Sequence, residues 1–164
     1  MYNQKNIIIG IVVVLVAIAG IILVMRPRDG GDLDGEVPPP DVYTIILYTD
    51  EISSSEYGFG FLSENITSPG PKLRLFRDQE TNITIINIGE QPHAFAITDS
   101  LSEDAAVLFE SSIGSVEDPV MPDETRSTLF TPESTGDYFY ICPIPGHIEA
   151  GMWGNITITS PNDS

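Results

Sequence analysis

Cysteine, histidine and basic side chains are scarce in this 164-residue chain, and each shortage removes a class of function. The only cysteine is Cys142, so no intramolecular disulfide can staple the fold. In an oxidising compartment a lone thiol is either a free reactive group or a metal ligand. The only histidines are His93 and His147. Lysine and arginine number seven against 24 acidic residues, for a formal net charge of −17. Beyond Asp41 the basic side chains are Lys72, Arg74, Arg77 and Arg126. Phosphate binding needs a basic face, so nucleic acid is disfavoured and not expected as a partner. A long amphipathic helical pattern and an internal repeat are also missing.

What is present divides by composition. Residues 1–6 form a short polar start. The 19-residue run Ile7 to Met25 has no charged side chain. As a helix it would rise roughly 28 Å, close to the hydrocarbon thickness of a bilayer. An uncleaved transmembrane anchor is the favoured reading. A cleaved signal peptide is the alternative, since Ala17-Ile18-Ala19 has the small-x-small form of a cleavage site, although more apolar sequence comes after it. Lys5 before the run and Arg26 and Arg28 after it nearly balance the positive-inside rule. Asn-x-Thr triplets at Asn65, Asn82 and Asn155, with Asn-x-Ser at Asn162, favour an extracytoplasmic location for the remainder of the chain. The expected location is therefore the cell membrane, single-pass, with residues 1–6 on the cytoplasmic side.

Residues 26–41, rich in Gly, Asp and Pro, read as a flexible linker with an r.m.s. span of roughly 20–24 Å. Residues 42–160 form the domain, and 161–164 a tail. In the domain, Val42 to Tyr48, Lys72 to Phe76, Thr81 to Ile88, Arg126 to Phe130, Gly136 to Cys142 and Gly154 to Thr159 read as strands, and His93 to Ile97 starts another. Glu51 to Gly70, Ser- and Gly-rich with Tyr57, Phe59 and Phe61, reads as a loop or insertion. Ser102 to Phe109 is expected to form a helical turn or two. Short strands punctuated by Gly, Pro and Asn predict an all-β fold, an antiparallel sandwich or barrel.

The stretch from Tyr140 to Trp153 gathers the cysteine, one histidine and a methionine within eleven residues, in the spacing Cys142-x4-His147-x4-Met152. Alone, Cys142 reads as a small buried hydrophobe, His147 as a loop residue, His93 as a turn residue and Met152 as core. Together they are the donors of a mononuclear blue-copper site: two imidazoles and a thiolate in a trigonal plane with a weak axial thioether. Pro143, Pro145 and Gly146 restrict the loop that carries three of them. Pro143 has no N–H to give the cysteine sulfur. Trp153 is expected to pack against the site.

Leu73 to Ile97, with its Asn87-x-Gly89 turn and His93-x-Phe95, is similar to the middle of a cupredoxin. Phe139 to Cys142, through Met152-Trp153-Gly154, resembles the cupredoxin copper loop. Its spacing and the Ile144-Pro145-Gly146-His147 wording are closer to the rusticyanin and sulfocyanin group than to plastocyanins, whose loop is shorter. Sulfocyanins also carry an N-terminal membrane anchor. The resemblance spans roughly Lys72 to Thr159. It implies a Greek-key β-sandwich and one type 1 copper, cycling between Cu(I) and Cu(II), on His93, Cys142, His147 and Met152.

The implied function is single-electron shuttling between redox partners at the outer face of the membrane, without enzymatic activity. A binuclear copper centre needs two cysteines, and copper oxidases and nitrite reductases need histidines beyond the two present. A copper buffer or carrier is the alternative, but Met121 is isolated from other soft donors. A non-redox scaffold of the same fold is a further one. The expected partners are membrane-bound or soluble redox proteins. The acidic surface either serves solubility or steers a basic docking patch.

Overall fold

The computed structural model describes residues 42–161. Nine strands make two sheets: β1 (Tyr43–Ser53), β2 (Glu56–Leu62), β3 (Asn65–Thr67), β4 (Leu73–Phe76), β5 (Thr81–Asn87), β6 (Ala96–Thr98), β7 (Thr125–Phe130), β8 (Gly136–Ile141) and β9 (Trp153–Thr159). One sheet has the order β3-β2-β1-β5-β7 and the other β4-β9-β8-β6. The period-2 alternation of the strands sets which residues face inward. Ile45, Leu47 and Thr49 of β1 are buried, as are Thr81, Ile83, Ile85 and Asn87 of β5. From the facing sheet come Leu73 and Leu75 of β4, Tyr140 of β8, and Ile156 and Ile158 of β9. Phe59, Phe95 and Tyr140 lock this core together, with Tyr140 and Phe95 stacked at 5.6 Å and Phe59 edge-on to both. Each such side chain contributes about 1.5–3 kcal/mol on leaving water.

Strand direction creates two poles. β1 and β5 run parallel from Tyr43 and Thr81, and β9 runs antiparallel to β8 from Trp153 to Thr159. One pole therefore holds the ends of β1, β5 and β8 and the starts of β2 and β9. The other holds Tyr43, Phe76 and Thr159, and it is closed by the hydrogen bonds Tyr43 N–H to Glu80 O and Arg77 N–H to Thr159 O.

Three expectations are corrected. The segment Glu51 to Gly70 is not an insertion: it completes β1 and forms β2 and β3. Its glycines are needed there, because a Cβ on Gly58 would overlap the Thr67 carbonyl and one on Gly60 the Asn65 carbonyl. Ser102 to Phe109 forms turns and no helix. Phe109 and Glu110 sit at positive φ (58° and 56°), and Leu108 N–H bonds across to Ile97 O. The sandwich is also not wholly antiparallel, since β1–β5 and β4–β9 are parallel pairs. The anchor, the linker and Asn162 lie outside the described residues. Among the described residues no helix is long and apolar enough to cross a membrane. Asn65 and Asn155 are exposed, and Asn82 is half-buried.

Candidate metal centre

Cys142 comes directly after the last residue of β8 and Met152 precedes the first of β9, so sheet pairing sets both ends of the loop between them. Cys142 N–H bonds Met152 O at 3.0 Å, and Met152 N–H bonds His147 O at 2.8 Å. Inside the loop, His147 N–H reaches Ile144 O and Ala150 N–H reaches Gly146 O. Gly146 and Gly151 take the left-handed conformation, at φ +85° and +86°. A side chain rarely adopts that conformation, which explains glycine at both positions. Two neighbours brace the loop. Tyr57 of β2 donates its N–H to Ala150 O at 3.0 Å, and the Glu103 carboxylate accepts the Gly146 N–H.

His93 comes from a different part of the fold. Its backbone pairs in both directions with Val120, and Phe95 pairs likewise with Ile113. Asn87 shapes the turn before it: its amide donates to Gln91 O and Val120 O, and its carbonyl oxygen accepts the Gly89 N–H.

These two sources converge. Donor atoms of His93, Cys142 and His147 lie within 4.8 Å of one another, and all three residues are buried. Cys142 Sγ is 3.4 Å from His147 Nδ1 and accepts the Ala94 N–H at 3.3 Å. The imidazoles of His93 and His147 lie edge-on at 5.3 Å. Met152 is fully buried at the end of the same loop and is tied to the Cys142 and His147 backbones. Trp153 departs from expectation. It points to the opposite side of β9 from the core and meets Phe139 at 6.1 Å.

Burial dominates the electrostatics. It pushes the Cys142 thiol up to about 12, opposed by the Ile144 and Ala94 N–H groups and reinforced by Glu103. Burial and then the neighbouring His147 push His93 down to about 4, against the raising influence of Glu51. Burial also lowers His147. Both imidazoles are thereby kept neutral, as metal ligation requires. Neither ring nitrogen of His93 makes a hydrogen bond of good geometry. Nε2 is 3.3 Å from Glu51 Oε1, the contact through which Glu51 raises His93. A buried imidazole nitrogen without a partner is costly, and a metal ion would satisfy it. The donor set is sulfur and nitrogen with a thioether beside it, which fits one type 1 copper rather than a hard, oxygen-seeking cation.

Sequence reasoning missed the supporting residues. Glu51 and Glu103 each bond across a long sequence separation, and among 24 acidic residues neither stands out by type. The available signal for Glu51 is strand parity: Ile45, Leu47, Thr49 and Glu51 share the inward face of β1. Tyr57, noted only as one of an aromatic cluster, covers the site with its ring 4.5 Å from that of His147.

No curated protein matches the sequence. Among solved structures, auracyanin from Roseiflexus castenholzii is similar over 70% of this chain and 95% of its own, at 16% identity and TM-score 0.52. A methionine-to-glutamine variant of rusticyanin is similar over 71% of this chain and 80% of its own, at 19% identity and TM-score 0.50. The copper nitrite reductase of Nitrosomonas europaea gives TM-score 0.56 at 22% identity over 74% of this chain, which spans 42% of that enzyme. The chain likewise spans 28% of the copper-containing nitrite reductase of Thermus scotoductus. At these identities the likeness is one of fold, and that fold is the cupredoxin sandwich. Residues 40–163 match the sulfocyanin (SoxE) domain, which is most of the chain. With its buried sulfur and imidazole donors at one pole of a cupredoxin sandwich, the chain belongs to the sulfocyanin family of copper proteins.

Proposed function

We propose that the chain is a single-electron carrier whose copper is held by His93, Cys142, His147 and Met152. The observation that carries this reading is the convergence of three buried donors, within 4.8 Å, from two separate parts of the fold. A bound copper ion would supply the one-electron couple, and the protein supplies everything else. The two imidazoles and the thiolate would be the strong donors and the Met152 thioether a weak one. The loop is closed by its own hydrogen bonds and braced by Tyr57 and Glu103, which would limit movement of the donors between oxidation states. Burial of Cys142 and His93 excludes water and other nucleophiles. His147 keeps 8% of its surface exposed, beside half-buried Ile144 and exposed Pro145 and Gly146. That small apolar edge suits a brief encounter with a redox protein, where close approach matters more than tight binding.

The partner in this reading is a redox protein, membrane-bound or soluble, with a basic docking face. The location is the outer side of a membrane, with residues 7–25 as anchor and 26–41 as tether. The reading includes no enzymatic step, because the sequence lacks the histidines a second copper would need. An optical titration tests it. One equivalent of Cu(II) should give an intense thiolate-to-copper band that colours the protein blue, bleached by reductant. Met152→Gln should keep the band and shift the potential. A folded protein with no such band would refute the proposal.

A further inference from the structure

Glu51 lies at the site end of β1, on the inward side of a strand whose preceding inward residues are Ile45, Leu47 and Thr49. Its carboxylate is fixed from several directions. Oε2 accepts the Glu90 N–H at 2.8 Å and Oε1 accepts the Gln91 N–H at 2.9 Å. Gly89 is packed so closely against it that an added Cβ would sit 2.8 Å from Oε1. The same Oε1 lies 3.3 Å from Nε2 of His93, a residue with no exposed side-chain surface, while the Glu51 side chain is 19% exposed. A surface staple for the turn 88–92 would need only the two amides. A carboxylate also set against a buried imidazole does more.

We infer, resting on the copper reading, that Glu51 is a positioning residue for His93, one that also sets the reduction potential. It favours the proton on Nε2 and so leaves the Nδ1 lone pair free to bind the ion. Carboxylate–imidazole–metal relays fix ring orientation and raise ligand basicity in this way. Its negative charge stabilises the more highly charged oxidation state, so it lowers the potential. No proton or bond is exchanged; the effect is orientation and field alone.

The test compares Glu51→Gln with Glu90→Gln in the full chain. The first substitution keeps the size and one acceptor but removes the charge beside His93. The second removes an exposed charge on the adjoining turn. Glu51→Gln should stay blue, with its potential shifted upward by more than in Glu90→Gln and its Cu(II) affinity reduced roughly tenfold or more. Equal potentials and affinities in the two variants would overturn the inference. In the metal-free wild type, long-range nitrogen–proton NMR should find His93 as the Nε2–H tautomer. The Nδ1–H tautomer would also overturn it, and this readout decides the matter if Glu51→Gln fails to fold. A wild type that never turns blue would instead refute the copper reading, which the tautomer measurement does not require.

Discussion

On the proposed reading, copper would meet Cys142 as a thiol. Burial holds its proton to about pH 12, while His93 is neutral above about 4 and His147 titrates below its ordinary value. From neutral pH upward the thiol proton is therefore the one that copper must displace. Copper uptake should release one proton between pH 7 and 9, and apparent affinity should rise about tenfold per pH unit. Competition titrations against a chelator of known pH dependence would check this, and a flat profile would mean that the thiol is already ionised. At this scale the convergence of His93, Cys142 and His147 was legible in the sequence. They are rare residue types, Cys142 and His147 stand out with Met152 at a distinctive spacing on one loop, and His93 is the only imidazole left to join them. Glu51, Glu103 and Tyr57 were not legible as supports, because their contacts join segments far apart in sequence and their types are common. Trp153 misled because adjacency in a strand means opposite faces, so the neighbour of an inward Met152 points out.

The strands themselves were legible wherever inward and outward residues alternate, as in β1, β5 and β9. Where the backbones of two strands approach most closely, the signal inverted. Gly58 and Gly60 look like loop residues, yet they are glycines because β3 lies against them. Gly154 in β9 is a similar case. It is paired with Tyr140, and an added Cβ would collide with the Tyr140 ring. That ring has no room to retreat. Phe59 and Phe95 pack on it, and its hydroxyl donates to Pro71 O at 2.7 Å. Gly154→Ala should destabilise the domain by about 1–3 kcal/mol, as overpacking of a filled core does. Urea unfolding would measure it. An unchanged midpoint would mean that the Tyr140 side chain can move aside. The turns at 102–109 show the opposite lesson. Local propensity favoured helix there, but the Leu108 bond to Ile97 and the Glu103 bond to Gly146 hold the segment against the site, and tertiary contact prevailed.

For the whole molecule, charge and polarity matter most. With a net charge of −17, approach to a basic partner should be fast at low salt and slow sharply as salt rises, because exposed charges are screened beyond about 10 Å at 0.1 M. Stopped-flow electron exchange with a basic redox protein across a salt series would test this. A rate indifferent to salt would leave the acidity with solubility as its role. The poles add a direction to that encounter. The chain comes into the sandwich at Tyr43, and the length of β1 from there to Glu51, at about 3.3 Å per residue, is about 26 Å. A domain wired to an electrode through its N-terminus would thus stand with its redox end outermost. Tunnelling from the metal surface through that length of protein would be slow, whereas a soluble mediator arriving from the opposite side would find the His147 edge facing it.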